Sequence, residues 1–217
     1  MHQPMILPWQ QKPNSLCIGI AGCAGTGKEA LANEIHAFAD VPVVPDGIKG
    51  YMENNKIIPG TMGNRHLLKM YMSVFNEKKA IEQAATRFVA NGTSLDYVSA
   101  MLTMMGGNHD FDNQLDRFMQ DCGVHACMVY DIIFLMPYIR EQKGKDVSRA
   151  THHMLVTQGA MESQPLVLMH PIQAETPEDQ AAEALGIIDR VTEVKANVGT
   201  NQKGTLNPQK PVKVRAN

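Results

Sequence analysis

The chain has 217 residues, a formal net charge of −2 and 44% hydrophobic residues, which suits one α/β domain with a sizeable buried core. A charge so near neutral gives the whole molecule no general attraction to nucleic acid or membrane surfaces, and no apolar run reaches the roughly 18 residues expected of a membrane span. The few cysteines, two of them in or beside the first apolar run, favour a reduced, cytoplasmic setting.

The two ends of the chain differ in composition from the middle. Residues 1–15 contain several prolines but no basic segment followed by a long apolar stretch, so we expect an N-terminal extension and not a secretory signal. Residues 195–217 contain basic side chains but no Asp or Glu, which predicts a disordered basic tail. The folded domain is therefore predicted to span residues 16–194. A nucleic-acid partner is not expected, although the tail could contact one.

In the first half of the domain, apolar runs that predict strands alternate with helical periodicity. Asp46 is placed to cap a short helix, and Thr93 with Asp96 has the spacing of a capping box. The predicted elements, in order, are a strand at residues 16–21, a helix at 29–39, a strand at 41–44, a short helix at 46–52, a long helix at 65–85, a strand at 87–90 and a helix at 93–105.

The second half continues the alternation. The last helix has a Thr176 cap, Pro177 at its first position and an acid three residues after the cap. The predicted elements are a helix at residues 110–120, a strand at 127–136, a charged segment at 140–149, a helix at 150–161, a strand at 166–170 and a helix at 177–189. Five strands alternating with helices predict a doubly wound parallel sheet, with a site at the carboxyl ends of the strands.

Residues 22–28 fit the Walker A pattern G-x-x-x-x-G-K, directly after an apolar strand and before a helix. The glycines let the backbone curl and turn its N–H groups toward phosphate oxygens. The helix adds its positive dipole end, and Lys28 adds a mobile positive charge. An ordinary glycine turn is the alternative interpretation. The predicted nucleotide-binding residues here are Gly22, Cys23, Ala24, Gly25, Thr26, Gly27, Lys28 and Glu29.

One position departs from that pattern. A Ser or Thr that holds Mg²⁺ normally follows the lysine, whereas this chain has Glu29. A carboxylate can also hold Mg²⁺, directly or through water, because hard cations prefer oxygen ligands. Thr26 carries the loop's hydroxyl group. Glu29 is therefore the predicted metal ligand, with the arrangement around it left open.

Residues 16–189 resemble, in order, the P-loop nucleoside and nucleotide kinases, a group that includes phage-type deoxynucleoside monophosphate kinases and ribosylnicotinamide-kinase-like proteins. Besides the phosphate loop, the resemblance rests on residues 41–51, 87–97 and 130–137. It implies a five-stranded P-loop kinase fold with a small helical lid, ATP and Mg²⁺ as cofactors, and a small-molecule nucleotide acceptor. A homodimer is left open.

The resemblance also assigns residues to the acceptor side. Family members often have a Glu and an Arg where Asp46 and Lys49 stand. A helix cap is an equally good interpretation of Asp46. Arg87, in the similar segment at residues 87–97, is predicted to bind the acceptor together with Asp46 and Lys49.

The predicted catalytic residues are Lys28, Asn91, Asp96 and Arg149. The family has an Asp-Arg pair where this chain has Asn91 and Gly92. Asn91 can form hydrogen bonds but cannot take a proton as a base. Asp96 matches the family and also has the capping-box role. The resemblance places a cationic lid at residues 140–149, whose Arg140 and Arg149 would close over ATP. A solvated charged loop is the alternative, since acidic residues are interspersed there.

These features predict ATP-dependent phosphoryl transfer to a (deoxy)nucleoside monophosphate or a nucleoside-like acceptor. Asn91, Gly92 and Glu29 support an alternative, a non-catalytic nucleotide-binding or regulatory protein with a degenerate kinase site. A kinase that acts on a modified base in DNA is a further alternative, and the basic tail is its support.

Overall fold

The computed structural model describes residues 14–58, 61–105, 113–138, 152, 154–157 and 167–204, the last seven as backbone only. Its sheet has five parallel strands in the order β2-β3-β1-β4-β5. The strands are β1 (Leu16–Ala21), β2 (Val43–Val44), β3 (Arg87–Asn91), β4 (Ile132–Leu135) and β5 (Leu168–Pro171). The predicted five-stranded parallel sheet is confirmed, and β1, at its centre, is buried along its whole length.

The helices are α1 (Lys28–Ala39), α2 (Gly47–Asn54), α3 (Asn64–Ala84), α4 (Ser94–Met105), α5 (Asn113–Val129) and α6 (Pro177–Gly204). Side chains of β1 alternate between two hydrophobic clusters. Ile18 and Ile20 share one cluster with residues of α1 and α6, while Cys17 shares the other with residues of α4 and α5. Helices therefore cover both faces of the sheet, as a doubly wound fold requires.

A third hydrophobic cluster lies away from the sheet, among α3, α4 and α5. It contains Tyr71 and Tyr97, whose ring centroids are 6.2 Å apart in an edge arrangement. Residues of α2 pack against it, including Ile48 and Tyr51. This cluster gives α2 a support outside the sheet. No helix among the described residues is both long and apolar enough to cross a membrane.

The predicted strand at residues 127–136 is wrong in its first part. Helix α5 continues to Val129, and β4 begins only at Ile132. The buried residues of α5 keep the helical period through Cys122, Ala126 and Val129. A short apolar run is compatible with either a buried helix face or a strand, and here the helical period continues through it. The helix predicted at 110–120 is correspondingly longer, at Asn113–Val129.

The last helix also exceeds its predicted end near residue 189, because α6 continues to Gly204. Residues 195–204, predicted to belong to the disordered tail, are therefore helical. Lys195 is buried and forms an ion pair of 2.8 Å with Asp131 Oδ1. Its Nζ also donates to the Ser15 carbonyl oxygen at 2.9 Å. The first residue of the predicted tail thus anchors α6 to the start of β1.

Several predictions fall outside the described residues. These are the lid at 140–149, with Arg140 and Arg149, and the segments 1–13 and 205–217. Within the helix predicted at 150–161, residues 154–157 are described and are helical.

Candidate functional site

The phosphate loop joins the carboxyl end of β1 to the start of α1. Its backbone turns at Gly22, Gly25 and Gly27, whose φ angles are 154°, 83° and 86°. A side chain at Gly22 would also lie 3.0 Å from Met136 Cβ, so glycine is required there on both counts. No side chain caps the amino terminus of α1. The N–H groups of that first turn can therefore serve an anionic ligand.

The Lys28 ammonium group lies over this loop. Nζ donates to the Gly22 carbonyl oxygen, to the Cys23 carbonyl oxygen at 3.3 Å, and approaches Asp96 Oδ1 at 3.4 Å. The ion pair with Asp96 is longer than the roughly 2.7–2.9 Å of a strong charge-assisted bond. Lys28 can therefore exchange these partners for phosphate oxygens without breaking a strong ion pair.

Asp96 has the capping role that the sequence predicts and, in addition, contacts the phosphate loop. Its Oδ2 accepts hydrogen bonds from the Thr93 backbone N–H at 2.7 Å and from the Thr93 hydroxyl at 2.8 Å. Its Oδ1 accepts from the Gly22 backbone N–H at 2.8 Å. Asp96 thus caps α4 and fixes the phosphate loop to that helix. With both oxygens engaged, it is suited to positioning the loop and not to taking a proton.

A cavity of about 1420 Å³ extends from the phosphate loop to α2, α3 and α4. It brings together predicted residues that are distant in sequence, since Lys28, Glu29, Asp46, Lys49, Asn91 and Asp96 all line it. The carboxyl ends of β1, β2 and β3 meet there, as expected for a parallel sheet. The cavity also contacts residues that the sequence did not single out, among them Tyr71, Tyr97, Thr103, Met104 and His152.

Asp46 follows β2 on the predicted acceptor side. Its Oδ1 accepts from the Ile48 backbone N–H at 3.1 Å, so the predicted helix cap is confirmed. Burial raises the pKa of its carboxyl group, and the charge of Asp96 adds to that rise. The Ile48 hydrogen bond and the cations of Lys28 and Lys78 act in the opposite direction. Asp46 is thus both a cap and a cavity carboxylate whose proton affinity exceeds that of an ordinary aspartate.

Two buried tyrosines stand beside this carboxylate. Burial raises the pKa of the Tyr71 and Tyr97 phenols, and the charge of Asp46 raises both further. Tyr97 OH accepts from the Gly47 backbone N–H at 3.4 Å. Both phenols are therefore neutral, and they can form hydrogen bonds in an otherwise apolar part of the cavity. Because both follow the apolar helical periods of α3 and α4, sequence patterning marks them as core residues only.

Asn91 and Gly92 occupy the carboxyl end of β3. Asn91 lines the cavity, and Gly92 has a φ of 81°. A Cβ at Gly92 would lie 3.6 Å from the Asp46 carboxyl group. The backbone of Gly92 thus passes beside Asp46. The neutral Asn91 thus ends β3, and the carboxylate of Asp46 follows the end of the neighbouring strand β2.

Arg87 is not brought to the cavity, so its assignment to the acceptor is wrong. It begins β3, whereas Asn91 ends that strand. Four strand steps of about 3.3 Å separate the two residues by roughly 13 Å. The Arg87 guanidinium group is exposed and donates to the Ala39 carbonyl oxygen at 3.1 Å. Its side chain supports the opposite edge of the sheet.

The donor set near the loop fits Mg²⁺ only in part. Glu29 is exposed in the first turn of α1 and lines the cavity. The Thr26 hydroxyl donates to the Cys23 carbonyl oxygen at 2.9 Å. Among the described residues, no group of three or more His, Cys, Asp or Glu side chains could hold a metal ion. A site of this kind suits Mg²⁺ that takes most of its oxygen ligands from a nucleotide and from water.

No protein-family model matches the chain, and no curated protein matches its sequence. Solved structures do match it. Deoxyadenosine kinase from M. mycoides superposes with a TM-score of 0.62 at 12% identity, over 81% of this chain and 100% of that one. The fold is that of the P-loop kinases.

Two further kinase-fold structures agree. NadR in complex with NAD and AMP-PNP has a TM-score of 0.57 at 15% identity, over 86% of this chain and 51% of NadR. Thymidylate kinase from Candida albicans has a TM-score of 0.55 at 13% identity, over 83% of this chain and 93% of that one. The sequence-based resemblance to P-loop kinases is thus confirmed as a likeness of fold.

Proposed function

We propose that this chain transfers the γ-phosphoryl group of ATP to a hydroxyl group of a nucleoside-like acceptor. The observation that carries the proposal is that one cavity is lined both by Lys28 of the phosphate loop and by the half-buried Asp46. The matched structures support a nucleotide in this kind of cavity, since deoxyadenosine kinase was solved with dCTP and NadR with AMP-PNP.

On the donor side, the loop N–H groups, the start of α1 and Lys28 would bind the β- and γ-phosphates. Lys28 would leave the Gly22 and Cys23 carbonyl oxygens that it now contacts and neutralise charge that develops on the transferred group. Glu29 would hold Mg²⁺, directly or through water, and the ion would neutralise phosphate charge. The lid arginines Arg140 and Arg149 stay a prediction from sequence.

On the acceptor side, Asp46 would take the proton of the attacking hydroxyl group. As that oxygen forms its bond to the γ-phosphorus, the bond to the β-phosphate oxygen breaks and ADP leaves. The raised pKa of the Asp46 carboxyl group, caused mainly by burial, makes it a stronger base than an exposed aspartate. Asn91 would orient the hydroxyl group by a hydrogen bond, and Lys49 lies further along the cavity.

Asp46 also favours an alcohol over a nucleoside monophosphate as acceptor. A phosphate acceptor is already ionised at neutral pH, so it needs no base and needs cations around it. Among the described residues that line the cavity, the cations beyond Lys28 are Lys49 and Lys56, both exposed. The charged groups that act on Asp46 are Asp96, Lys28 of the phosphate loop and the buried Lys78, and two neutral phenols respond to its charge. An alcohol fits this environment better than a phosphate dianion.

The alternative proposal is a non-catalytic nucleotide-binding protein. Its support is the neutral pair Asn91 and Gly92 at the strand end where related kinases carry an acid and an arginine. It predicts that ATP binds and that no acceptor is phosphorylated.

An acceptor screen tests the proposal. The protein is incubated with ATP, Mg²⁺ and, in separate reactions, each nucleoside, each nucleoside monophosphate and oligonucleotides with modified bases, and ADP formation is measured. We expect turnover with at least one nucleoside-like acceptor. Asp46→Asn should lower kcat by about 10²–10⁴-fold and leave ATP affinity unchanged. The control Glu53→Gln, an exposed carboxylate of the same cavity, should keep normal turnover.

Three results would oppose the proposal in different ways. Turnover confined to nucleoside monophosphates contradicts the alcohol assignment. Full activity of Asp46→Asn contradicts the role of Asp46 as the base. ATP binding with no turnover of any acceptor supports the non-catalytic alternative.

A further inference from the structure

A buried charged cluster stands behind the acceptor side, outside the cavity lining. Glu82 of α3 accepts a hydrogen bond from Tyr130 OH at 3.0 Å, and its Oε2 lies 2.6 Å from His125 Nε2. Lys78, one helical turn earlier, lies 3.3 Å from Glu82 Oε1. Lys78 is 4% exposed and Glu82 is 1% exposed. These polar side chains are buried where apolar packing is usual.

Lys78 reaches from this cluster to the turn that carries Asp46. Its Nζ donates to the Pro45 carbonyl oxygen at 3.1 Å. Pro45 directly precedes Asp46 and lines the cavity with it. The bond therefore holds the peptide unit that joins β2 to the acceptor-side carboxylate. The same ammonium group also acts on Asp46 by charge.

We propose that Lys78 is a positioning residue of the acceptor site, which fixes the Pro45–Asp46 peptide unit and places a buried cation behind the Asp46 carboxylate. This inference rests on the proposed function only in treating Asp46 as the acceptor-side base. Glu82 pairs with the lysine, and His125 and Tyr130 hold Glu82 in turn.

The energetics of buried ion pairs support a role beyond stability. Replacing a buried pair with apolar residues of similar size is often neutral or stabilising. Lys78 and Glu82 belong to the buried face of α3, where Tyr71, Val74 and Phe75 precede them. An apolar residue at position 78 would continue that face, but it would leave the Pro45 carbonyl oxygen without this donor. The hydrogen bond to the Pro45 carbonyl oxygen therefore explains why a lysine stands at this buried position.

Charged and titratable groups face Asp46 from three elements. Asp96 of α4 raises the pKa of its carboxyl group, whereas Lys28 of α1 and Lys78 of α3 lower it. The phenols of Tyr71 and Tyr97 are also close enough to respond to its charge. Removing the Lys78 cation should therefore move the Asp46 pKa further upward. An acid limb of kcat/KM that depends on ionised Asp46 should move to higher pH with it.

The experiment compares Lys78→Met/Glu82→Gln with Glu82→Gln alone. The double variant removes both charges of the Lys78–Glu82 pair, which favours folding, and the single variant keeps the lysine and its bond to the Pro45 carbonyl oxygen. The Asp46 carboxyl carbon is followed by NMR against pH in each protein and is assigned through Asp46→Asn. We expect a higher Asp46 pKa in the double variant than in Glu82→Gln, with altered amide shifts from Asp46 to Ile48. Lys78→Arg should return the titration toward wild type.

With an acceptor from the screen, kcat/KM should fall by up to about 100-fold in the double variant, the effect of displacing a reacting group by about 1 Å, and ATP affinity should not change. Identical Asp46 titration in the double and single variants would overturn the proposal, whatever the turnover. If the wild type phosphorylates no acceptor, the proposed function fails, while the NMR comparison still decides the role of Lys78.

Discussion

Two buried lysine–aspartate pairs lie at opposite edges of the same sheet. At the edge formed by the amino ends of the strands, here called the amino edge, Lys195 and Asp131 are 2.8 Å apart, with side chains 2% exposed. At the edge formed by the carboxyl ends of the strands, the carboxyl edge, Lys28 and Asp96 are 3.4 Å apart, with side chains 10% and 5% exposed. The residue types are the same, so the difference between the pairs comes from their surroundings.

The amino-edge pair is fully enclosed by protein partners. Asp131 accepts from the Cys17 backbone N–H at 2.8 Å and from the Ser15 hydroxyl, and Lys195 donates to two Ser15 oxygens. The carboxyl-edge lysine instead contacts carbonyl oxygens of a glycine-rich loop beside a large cavity. The first pair is arranged to hold the fold together, and the second leaves its cation accessible to a ligand.

The largest expected effect separates the two lysines by stability. Lys195→Met leaves Asp131 buried without its cation, which should lower the free energy of unfolding by about 3–5 kcal/mol. Lys28→Met loses a longer pair, and Asp96 keeps its hydrogen bonds from the Gly22 and Thr93 backbone N–H groups and the Thr93 hydroxyl, so the loss should be smaller. Urea denaturation of both variants measures the two values. Equal losses would show that the two edges do not differ as described.

A smaller effect concerns the strand end beside Asp46. Introducing the Asp-Arg pair that the sequence resemblance implies requires Gly92→Arg, but Gly92 has a φ of 81°. A side chain in that left-handed conformation costs about 1–2 kcal/mol. Gly92→Ala should show the same loss, because the backbone and not the charge causes it. If thermal denaturation shows no loss in either variant, Gly92 does not need its positive φ.

Asn91→Asp makes the same comparison without backbone strain. It adds a further carboxylate to the cavity, on the strand end that lies next to β2 in the sheet. Like charges favour proton uptake, so the acid limb of kcat/KM should move to higher pH than in the wild type. An unchanged pH profile would mean that position 91 lies too far from the reacting groups to act on them.

The smallest expected effect is a gain of stability. Because the pKa of Asp46 is raised in the folded protein, the folded state binds more protons than the unfolded state between the two pKa values. Stability therefore falls as pH rises through that window. Asp46→Asn keeps a side chain that can cap α2 and removes this loss. The variant should unfold at a higher temperature than wild type at neutral pH, with the difference vanishing below pH 3.8, the ordinary aspartate pKa.

Features whose signal is contiguous in the sequence could be predicted. The strand, glycines and lysine of the phosphate loop follow one another directly, and their local chemistry specifies the turn. The Asp46 cap needs only the N–H of Ile48, two residues away. The order of strands and helices followed from periodicity in the same way.

Features that depend on distant partners could not be predicted. Lys195 begins a segment whose composition is that of a disordered tail. Its partners Asp131 and Ser15 are far from it in sequence, so the ion pair could not be predicted. The apolar run at residues 127–129 is compatible with a strand until the packing of α5 makes it a helix. The sequence shows Lys78 only as a charged residue on the apolar face of α3. That it binds the Pro45 carbonyl oxygen could be seen only in the structure.

The central claim is that the carboxyl edge, and not the amino edge, is a nucleotide site. Calorimetric titration of ATP with Mg²⁺ into wild type, Lys28→Met and Lys195→Met, at a temperature where all three are folded, tests it most directly. We predict that wild type and Lys195→Met bind ATP equally, and that Lys28→Met loses about 2–5 kcal/mol of binding free energy. Unchanged binding by Lys28→Met would contradict the claim.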